Sequence, residues 1–396
     1  MPDADCAFLR LLAERVLVFD GAMGTSIHAL ELPLSDYRGL ENCSEVLNET
    51  CPDVIERIHR DFLDVGCDAV ETNTFGANRV VLGEFGLAER TYDLNVMAAQ
   101  IARRACAAYA TPQRPRFVVG SIGPGTKLIS LRQIGYDELL ASYLEQMRGL
   151  LDGGVDVLLI ETCQDILQAK TAIQAARQAF EQCGRRVPLM CQVTMETTGT
   201  MLMGTEIAAA VVALEAFPEV DVIGLNCATG PQEMSEHVRH LARHCTRHIS
   251  VLPNAGLPQV VDGRPHFPLT PAELARWLRE FITVDGVNVV GGCCGTTPAH
   301  LRAVVDAVGG LQPARRQIVH EPAVSSLYAA VPLRQDTSFL IVGERCNSNG
   351  SRQFKRLLLE GDIEGLVEVA NEQLREGAHV LDVCVDCVGR DGVPDM

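Results

Sequence analysis

The amino-acid sequence predicts a (β/α)8 TIM barrel, followed by a linker and an incomplete second β/α unit. Three observations carry that expectation. Eight short runs rich in Val, Ile and Leu recur before residue 293, each is followed by turn residues and a longer stretch of helical period, and polar residues collect at the C-terminal end of nearly every run. Eight strands suffice to close a barrel, whereas open doubly wound sheets usually have fewer, and barrel enzymes place their chemistry at the C-terminal strand ends.

The runs end at Asp20, Thr74, Ser121, Glu161, Thr194, Asn226, Asn254 and Gly292. Between them the spacing predicts helices over Pro52–Val65, Asp137–Leu151, Ile166–Phe180 and Pro271–Ile282. Pro52 and Pro271 suit a first helical turn, where a missing N–H costs nothing. A helix over Pro298–Val308 completes a barrel domain of residues 1–309. Residues 310–337 are rich in Pro, Ser, Gly and Arg without a period and read as a linker. Residues 338–396 hold FLIVGE, a helical stretch from Ile363 to Glu376, and HVLDVCV, the opening of a second β/α series; two strands cannot close a barrel.

Composition excludes several classes. A chain of 396 residues exceeds the roughly 250 of a typical barrel, with 47% hydrophobic and 21% charged residues in the globular range. A net charge of −17 repels a phosphate backbone, so no nucleic-acid partner is expected. The N-terminus, MPDADCAFLRLLAERV, carries acids where a signal peptide needs bases, and no apolar run of about 18 residues occurs. A soluble cytoplasmic protein without a membrane partner is the expectation. Fifteen cysteines, an odd number, then read as reduced thiols and not as a disulfide framework.

The chemistry concentrates in two motifs. GLNCATGP ends the sixth run and GGCCGTTP ends the eighth, together supplying Cys227, Cys293 and Cys294. Strand ends six and eight lie close on one barrel face, so the three thiols can meet. Three protein ligands leave tetrahedral zinc one open position, the arrangement of a catalytic site. Neighbouring residues on a regular strand point to opposite faces, so the adjacent pair needs an irregular Gly-flanked turn, which GGCCG provides. Other motifs are weaker. His237, His240, His244 and His248 follow helical spacing beside the apolar Val238, Leu241 and Cys245, and are expected on a solvated face. GSIGPG lacks the Lys–Ser/Thr pair of a P-loop, and Cys384 with Cys387 has no second pair to complete a zinc site.

At these residues the sequence resembles the homocysteine S-methyltransferase family over roughly residues 11–308, through FDGAMGT (Phe19–Thr25), ETNTF (Glu71–Phe75), GLNCATGP and GGCCGT. The resemblance implies zinc-dependent transfer of a methyl group to the thiol of homocysteine, forming methionine. It further implies that Asp20 and Glu161 hold the substrate ammonium, that Gly21, Ala22 and Met23 offer backbone N–H groups to its carboxylate, and that Thr74 and Asn226 add polar contacts. IVGERCNSNGSRQFKRL followed by GAHVLDVCVD is similar to the start of the pterin-binding module of cobalamin-dependent methionine synthases, a branch of the family. That likeness implies methylcobalamin as donor, recharged from methyltetrahydrofolate in a complete enzyme, with Asn347 and Asp382 at pterin-contacting positions. Cys346 departs from an expected Thr, and no D-x-H-x-x-G cobalamin motif occurs, so the donor is expected on another module or chain. S-methylmethionine or betaine as donor, and a zinc- and homocysteine-binding barrel without turnover, stay open as alternatives.

Overall fold

Eight parallel strands make one sheet: β1 (Leu17–Val18), β2 (Ala69–Glu71), β3 (Phe117–Ile122), β4 (Val157–Cys163), β5 (Leu189–Val193), β6 (Val220–Asn226), β7 (His248–Leu252) and β8 (Val289–Val290). Their spatial order is β1-β8-β7-β6-β5-β4-β3-β2, and a parallel bridge from Phe19 to Ala69 joins β1 to β2 and closes the ring. This is the expected (β/α)8 barrel. The structure is a computed structural model and describes residues 6–261 and 264–396, so the first five residues of the acidic N-terminus lie outside it. Strands β1 and β8 are shorter than the runs suggest. The ladder nevertheless continues through Phe19 N–H to Val290 O (2.8 Å) and Gly292 N–H to Asp20 O (3.1 Å).

The surrounding helices are α1 (Ala7–Glu14), α2 (Met23–Ala29), α3 (Pro52–Val65), α4 (Thr91–Tyr109), α5 (Tyr136–Gly153), α6 (Ile166–Cys183), α7 (Ile207–Glu215), α8 (Pro231–His244), α9 (Pro271–Thr283) and α10 (Pro298–Val308). Helix α3 begins at Pro52 and stops at Gly66, whose φ of 106° suits a residue without Cβ. Helix α9 opens with a capping box between Thr270 and Glu273.

Side chains alternate along each strand, which sorts the bore into layers. Leu17, Phe19, Ala69, Phe117, Val119, Val157, Leu159, Met190, Val222, Leu252 and Val289 fill its lower part, with Phe8 and Leu12 of α1 packed beneath. Phe8 stacks edge-on to Phe117 with ring centroids 5.3 Å apart. Arg15, just after α1, grips Asp68 through two 2.9 Å hydrogen bonds and locks this plug in place. Burying one such aromatic is worth about 2–3 kcal/mol, and the plug leaves only the C-terminal mouth for chemistry. Two residues beyond the apolar layer, the same alternation turns Glu71, Ser121, Glu161 and Asn254 inward.

The chain divides into compact units Met1–His320 and Glu321–Met396. Within residues 310–320, Val16 N–H bonds Leu311 O (3.0 Å) and the Arg316 guanidinium bonds Cys245 O (2.7 Å). The second unit holds a short antiparallel hairpin, Ala323–Ser325 with Ala330–Pro332. It also holds parallel strands β9 (Val342–Asn347) and β10 (Val380–Cys384) with helices α11 (Arg352–Glu360) and α12 (Ile363–Arg375). Cys346, Phe354, Leu357, Leu358, Val369 and Val385 form its own small core. Among the described residues no helix is long and apolar enough to cross a membrane.

One core residue ties stability to pH. His59 on α3 is fully buried, neither ring nitrogen has a partner, and burial holds its pKa down at about 4. The folded protein therefore keeps His59 neutral while the unfolded chain protonates it below about 6.5. The contribution is intact above pH 6.5 and is lost as pH falls towards 4, by up to about 3 kcal/mol. His59→Leu is expected to gain stability relative to the unsubstituted protein as pH falls from 7 to 4.5, read from urea unfolding at the two pH values.

Candidate metal and substrate site

Strand β7 lies between β6 and β8, so the loops leaving β6 and β8 face each other across its C-terminal end. Cys227 N–H bonds Leu252 O (3.2 Å), Cys293 N–H bonds Pro253 O (2.9 Å), and Ala255 N–H bonds Cys294 O (2.9 Å). The three sulfurs consequently lie within 4.8 Å of one another, the one such cluster of His, Cys, Asp or Glu ligand atoms among the described residues. Cys227 Sγ and Cys294 Sγ are 3.8 Å apart. A tetrahedral zinc centre with Zn–S near 2.3 Å needs sulfurs about 3.8 Å apart, so this donor set can hold zinc and leave a fourth position open.

Backbone strain is concentrated here. Cys227 and Ala228 have φ of 60° and 56°, a region that costs a non-glycine residue about 1–2 kcal/mol. In the facing loop Gly295 has φ of 79°, and a Cβ there would lie 2.1 Å from the Phe267 ring. Thr296 braces the turn by donating its hydroxyl to Cys293 O (2.7 Å). The thiols also control one another's protonation. Hydrogen bonds from Cys227 and Cys293 bring Cys294 down to about 3. The Cys293 hydrogen bond draws Cys227 down, but the Cys294 hydrogen bond, burial and the Cys294 charge together push it up to about 11, and Cys293 is raised well above its ordinary value by hydrogen bonds to both neighbours and by burial. Without a cation this cluster carries one thiolate.

Beside the sulfurs stands a group of buried acids. Glu161 Oε1 accepts from Ser121 Oγ (2.5 Å) and Oε2 from Asn226 Nδ2 (3.0 Å). Asn226 also bonds Thr162 at both N–H (2.8 Å) and Oγ1 (2.8 Å), holding that residue at a φ of 57°. Burial pushes Glu161 up to about 7, opposed by the Ser121 hydrogen bond and assisted by the nearby Cys227. Both Asp20 oxygens receive Glu71 N–H (3.2 and 3.1 Å), and burial followed by the Glu161 charge raises Asp20 well above the usual range. Glu71 is raised likewise, by burial and then by Glu161 and Asp20.

The structure thus gathers Cys227, Cys293, Cys294, Asp20, Glu161 and Asn226 at one mouth of the barrel. Thr74 is tied in indirectly. Its hydroxyl donates to Ser121 O (2.7 Å) and accepts from Thr72 Oγ1 (2.6 Å), and Thr72 in turn accepts Ser121 N–H (3.1 Å). This ring steadies Ser121, and through it Glu161. Gly21 packs so tightly that a Cβ would lie 2.6 Å from Thr296 Oγ1, and Ala22 N–H donates to that same oxygen (3.3 Å). Met23 opens α2. In the second unit Asn347 Oδ1 caps a turn at Asn349 and Gly350 N–H (2.8 and 3.0 Å), while Asp382 is exposed on β10. Glu71, Ser121 and Thr296 went unmarked by the sequence reading. The period-2 step from Ala69 to Glu71 was the available signal for the first of these. The histidines differ from expectation. They are half-buried, His240 stacks on His244 at 4.6 Å and is held down at about 4 by burial, and His244 Nδ1 meets Val319 O (3.2 Å).

The homocysteine S-methyltransferase family profile matches residues 17–308, the whole barrel. The chain belongs to this family. It is 52% identical over 392 residues to methionine synthase of Mycobacterium tuberculosis and 50% identical over 397 residues to methionine synthase of Mycobacterium leprae, in each case over 99% of this chain and 33% of the relative. The chain therefore spans about a third of the length of these curated relatives. The oxidised form of the homocysteine methyltransferase MmuM from Escherichia coli superposes with a TM-score of 0.60 at 25% identity, over 74% of this chain and 95% of that one. Its metallated form gives 0.61 at 24%, over 74% and 97%, a likeness of fold.

Asn226 links Glu161 to Thr162 through its side-chain hydrogen bonds. Asn226→Ala leaves Glu161 Oε2 and Thr162 N–H without partners in a buried setting, which is expected to cost about 2–4 kcal/mol. Chemical denaturation of the two proteins at pH 7 measures that loss.

Proposed function

We propose that this chain methylates the thiol of homocysteine to give methionine, with zinc held by Cys227, Cys293 and Cys294. The observation that carries the reading is the sulfur cluster at tetrahedral spacing directly beside the Asp20–Glu161 acids, one end suited to a thiol and the other to an ammonium. Zinc there would lower the pKa of the substrate thiol and keep its sulfur nucleophilic. A thiol of pKa near 8.5 is only about 3% ionised at pH 7, so complete ionisation raises the reactive form roughly thirtyfold, about 2 kcal/mol. The remaining acceleration comes from orientation and exclusion of water, which can contribute more.

Orientation is the work of the chain's own residues. Asp20 and Glu161 accept N–H bonds of the ammonium, with Ser121 and Asn226 holding Glu161 in place. Gly21 and Met23 N–H groups serve the carboxylate, while Ala22 N–H is given to Thr296. Thr74 acts through Ser121 as a positioning residue.

The donor we assign is methylcobalamin carried on another module or chain and recharged from methyltetrahydrofolate. Relatives named methionine synthase align over 99% of this chain, and residues 338–396, which lie within the second unit, are read as the start of a pterin-binding domain with Asn347 and Asp382 as contacts. Betaine is disfavoured because quaternary ammonium recognition uses aromatic cages, and the single Trp, Trp277, sits on α9 beneath Arg276.

Zinc-loaded protein should transfer methyl groups from methylcobalamin to homocysteine, and Cys227→Ala or Cys293→Ser should lose both zinc and at least about a hundredfold in rate. Retention of zinc and full activity by Cys227→Ala overturns the proposal. Faster turnover with S-methylmethionine reassigns the donor.

A further inference from the structure

We infer that Glu71 is a third substrate-contacting carboxylate, whose Oε1 accepts an N–H of the homocysteine ammonium and selects thiols bearing that group. The inference rests on the homocysteine reading above and names the residue that confers selectivity at that site.

The geometry singles out Glu71 among the acids of the cluster. Ala69 points into the bore, so Glu71, two residues on in the same strand and in register with Val119, also points inward, close enough to Glu161 and Asp20 for their charges to act on it. Each oxygen of the other two acids already has one partner within the chain: those of Glu161 from Ser121 and Asn226, those of Asp20 from the Glu71 N–H. Glu71 Oε1 is sealed from solvent and has no hydrogen-bond partner. A buried carboxylate oxygen in that state is costly unless a donor reaches it, and the mutual repulsion of three adjacent acids adds to the cost. An ammonium supplies what the position lacks: up to three N–H donors and a compensating positive charge. The partners of Asp20 and Glu161 among the described residues are neutral groups and Glu71 Oε1 has none, so a compensating charge comes from the ligand.

The role differs from that of a structural acid in a measurable way. Replacing Glu71 by Gln keeps its shape and removes an acid whose charged form the buried, ligand-free site disfavours, so the ligand-free protein should melt no lower than the unsubstituted one. Binding should fall only for ligands that carry the ammonium.

Calorimetric titration of zinc-loaded protein with homocysteine and with 4-mercaptobutyrate, the same thiol and carboxylate without the amino group, separates the outcomes. Glu71→Gln is expected to weaken homocysteine roughly ten- to a hundredfold and leave 4-mercaptobutyrate unchanged. Glu71→Asp, retaining the charge one methylene further back, should fall between. Unchanged homocysteine affinity in Glu71→Gln overturns the inference, as does an equal loss for both ligands. Failure of the unsubstituted protein to bind homocysteine refutes the functional reading itself, and the inference with it.

Discussion

Three sulfur atoms packed within 4.8 Å of one another cannot all be thiolates unless a cation lies among them, and the architecture at the barrel mouth is arranged around that constraint. Burial and mutual hydrogen bonding leave Cys294 ionised while Cys227 and Cys293 hold their protons. A divalent ion reverses the balance by replacing two protons with two charges. Because metal loading is then also proton release, the site's occupancy depends on pH as well as on metal supply. The backbone cost of the cluster is met locally. Cys227 and Ala228 sit in left-handed conformations, and the facing turn requires Gly295 and the Thr296 brace.

The barrel contributes rigidity by layering. The same alternation that buries Phe19, Ala69, Val119 and Leu159 turns the next inward residues polar, so the floor of the site is a tightly packed apolar plug. Acids above such a floor are poorly solvated, which is why Asp20, Glu71 and Glu161 all rise in pKa and why a cationic ligand group is matched to them. Ser121 and Asn226 hold one of these acids by hydrogen bonds from two different strands, and Thr72 and Thr74 brace Ser121. The mouth thus joins a cluster suited to a soft cation with a cluster suited to an ammonium, and a small amino-acid thiol can span the two.

Much of this was legible in the sequence, for reasons that differ by residue. The adjacent Cys293 and Cys294 in a Gly-flanked turn announce a departure from strand geometry, and with Cys227 at another strand end the metal-binding spacing follows from barrel topology alone. Asp20 and Glu161 came from family likeness, and both reach the mouth. The sequence could not reveal that the Thr74 hydroxyl is directed to Ser121 O, because that bond joins two strand ends 47 residues apart. The histidines of α8 read as solvated on a helical wheel, yet Arg316 and Val319, more than 70 residues later, return to cover that end of the helix. Glu71 lay within a motif whose regular strand stops at that residue, and only the closed bore makes its inward direction meaningful.

The central claim, a zinc ion on three cysteines with its fourth position reserved for the substrate thiol, is tested most directly by X-ray absorption at the zinc edge, before and after adding homocysteine. Three protein sulfurs rising to four on addition is the result this account expects. A shell that does not change with homocysteine, or one with fewer than three sulfurs, would contradict it.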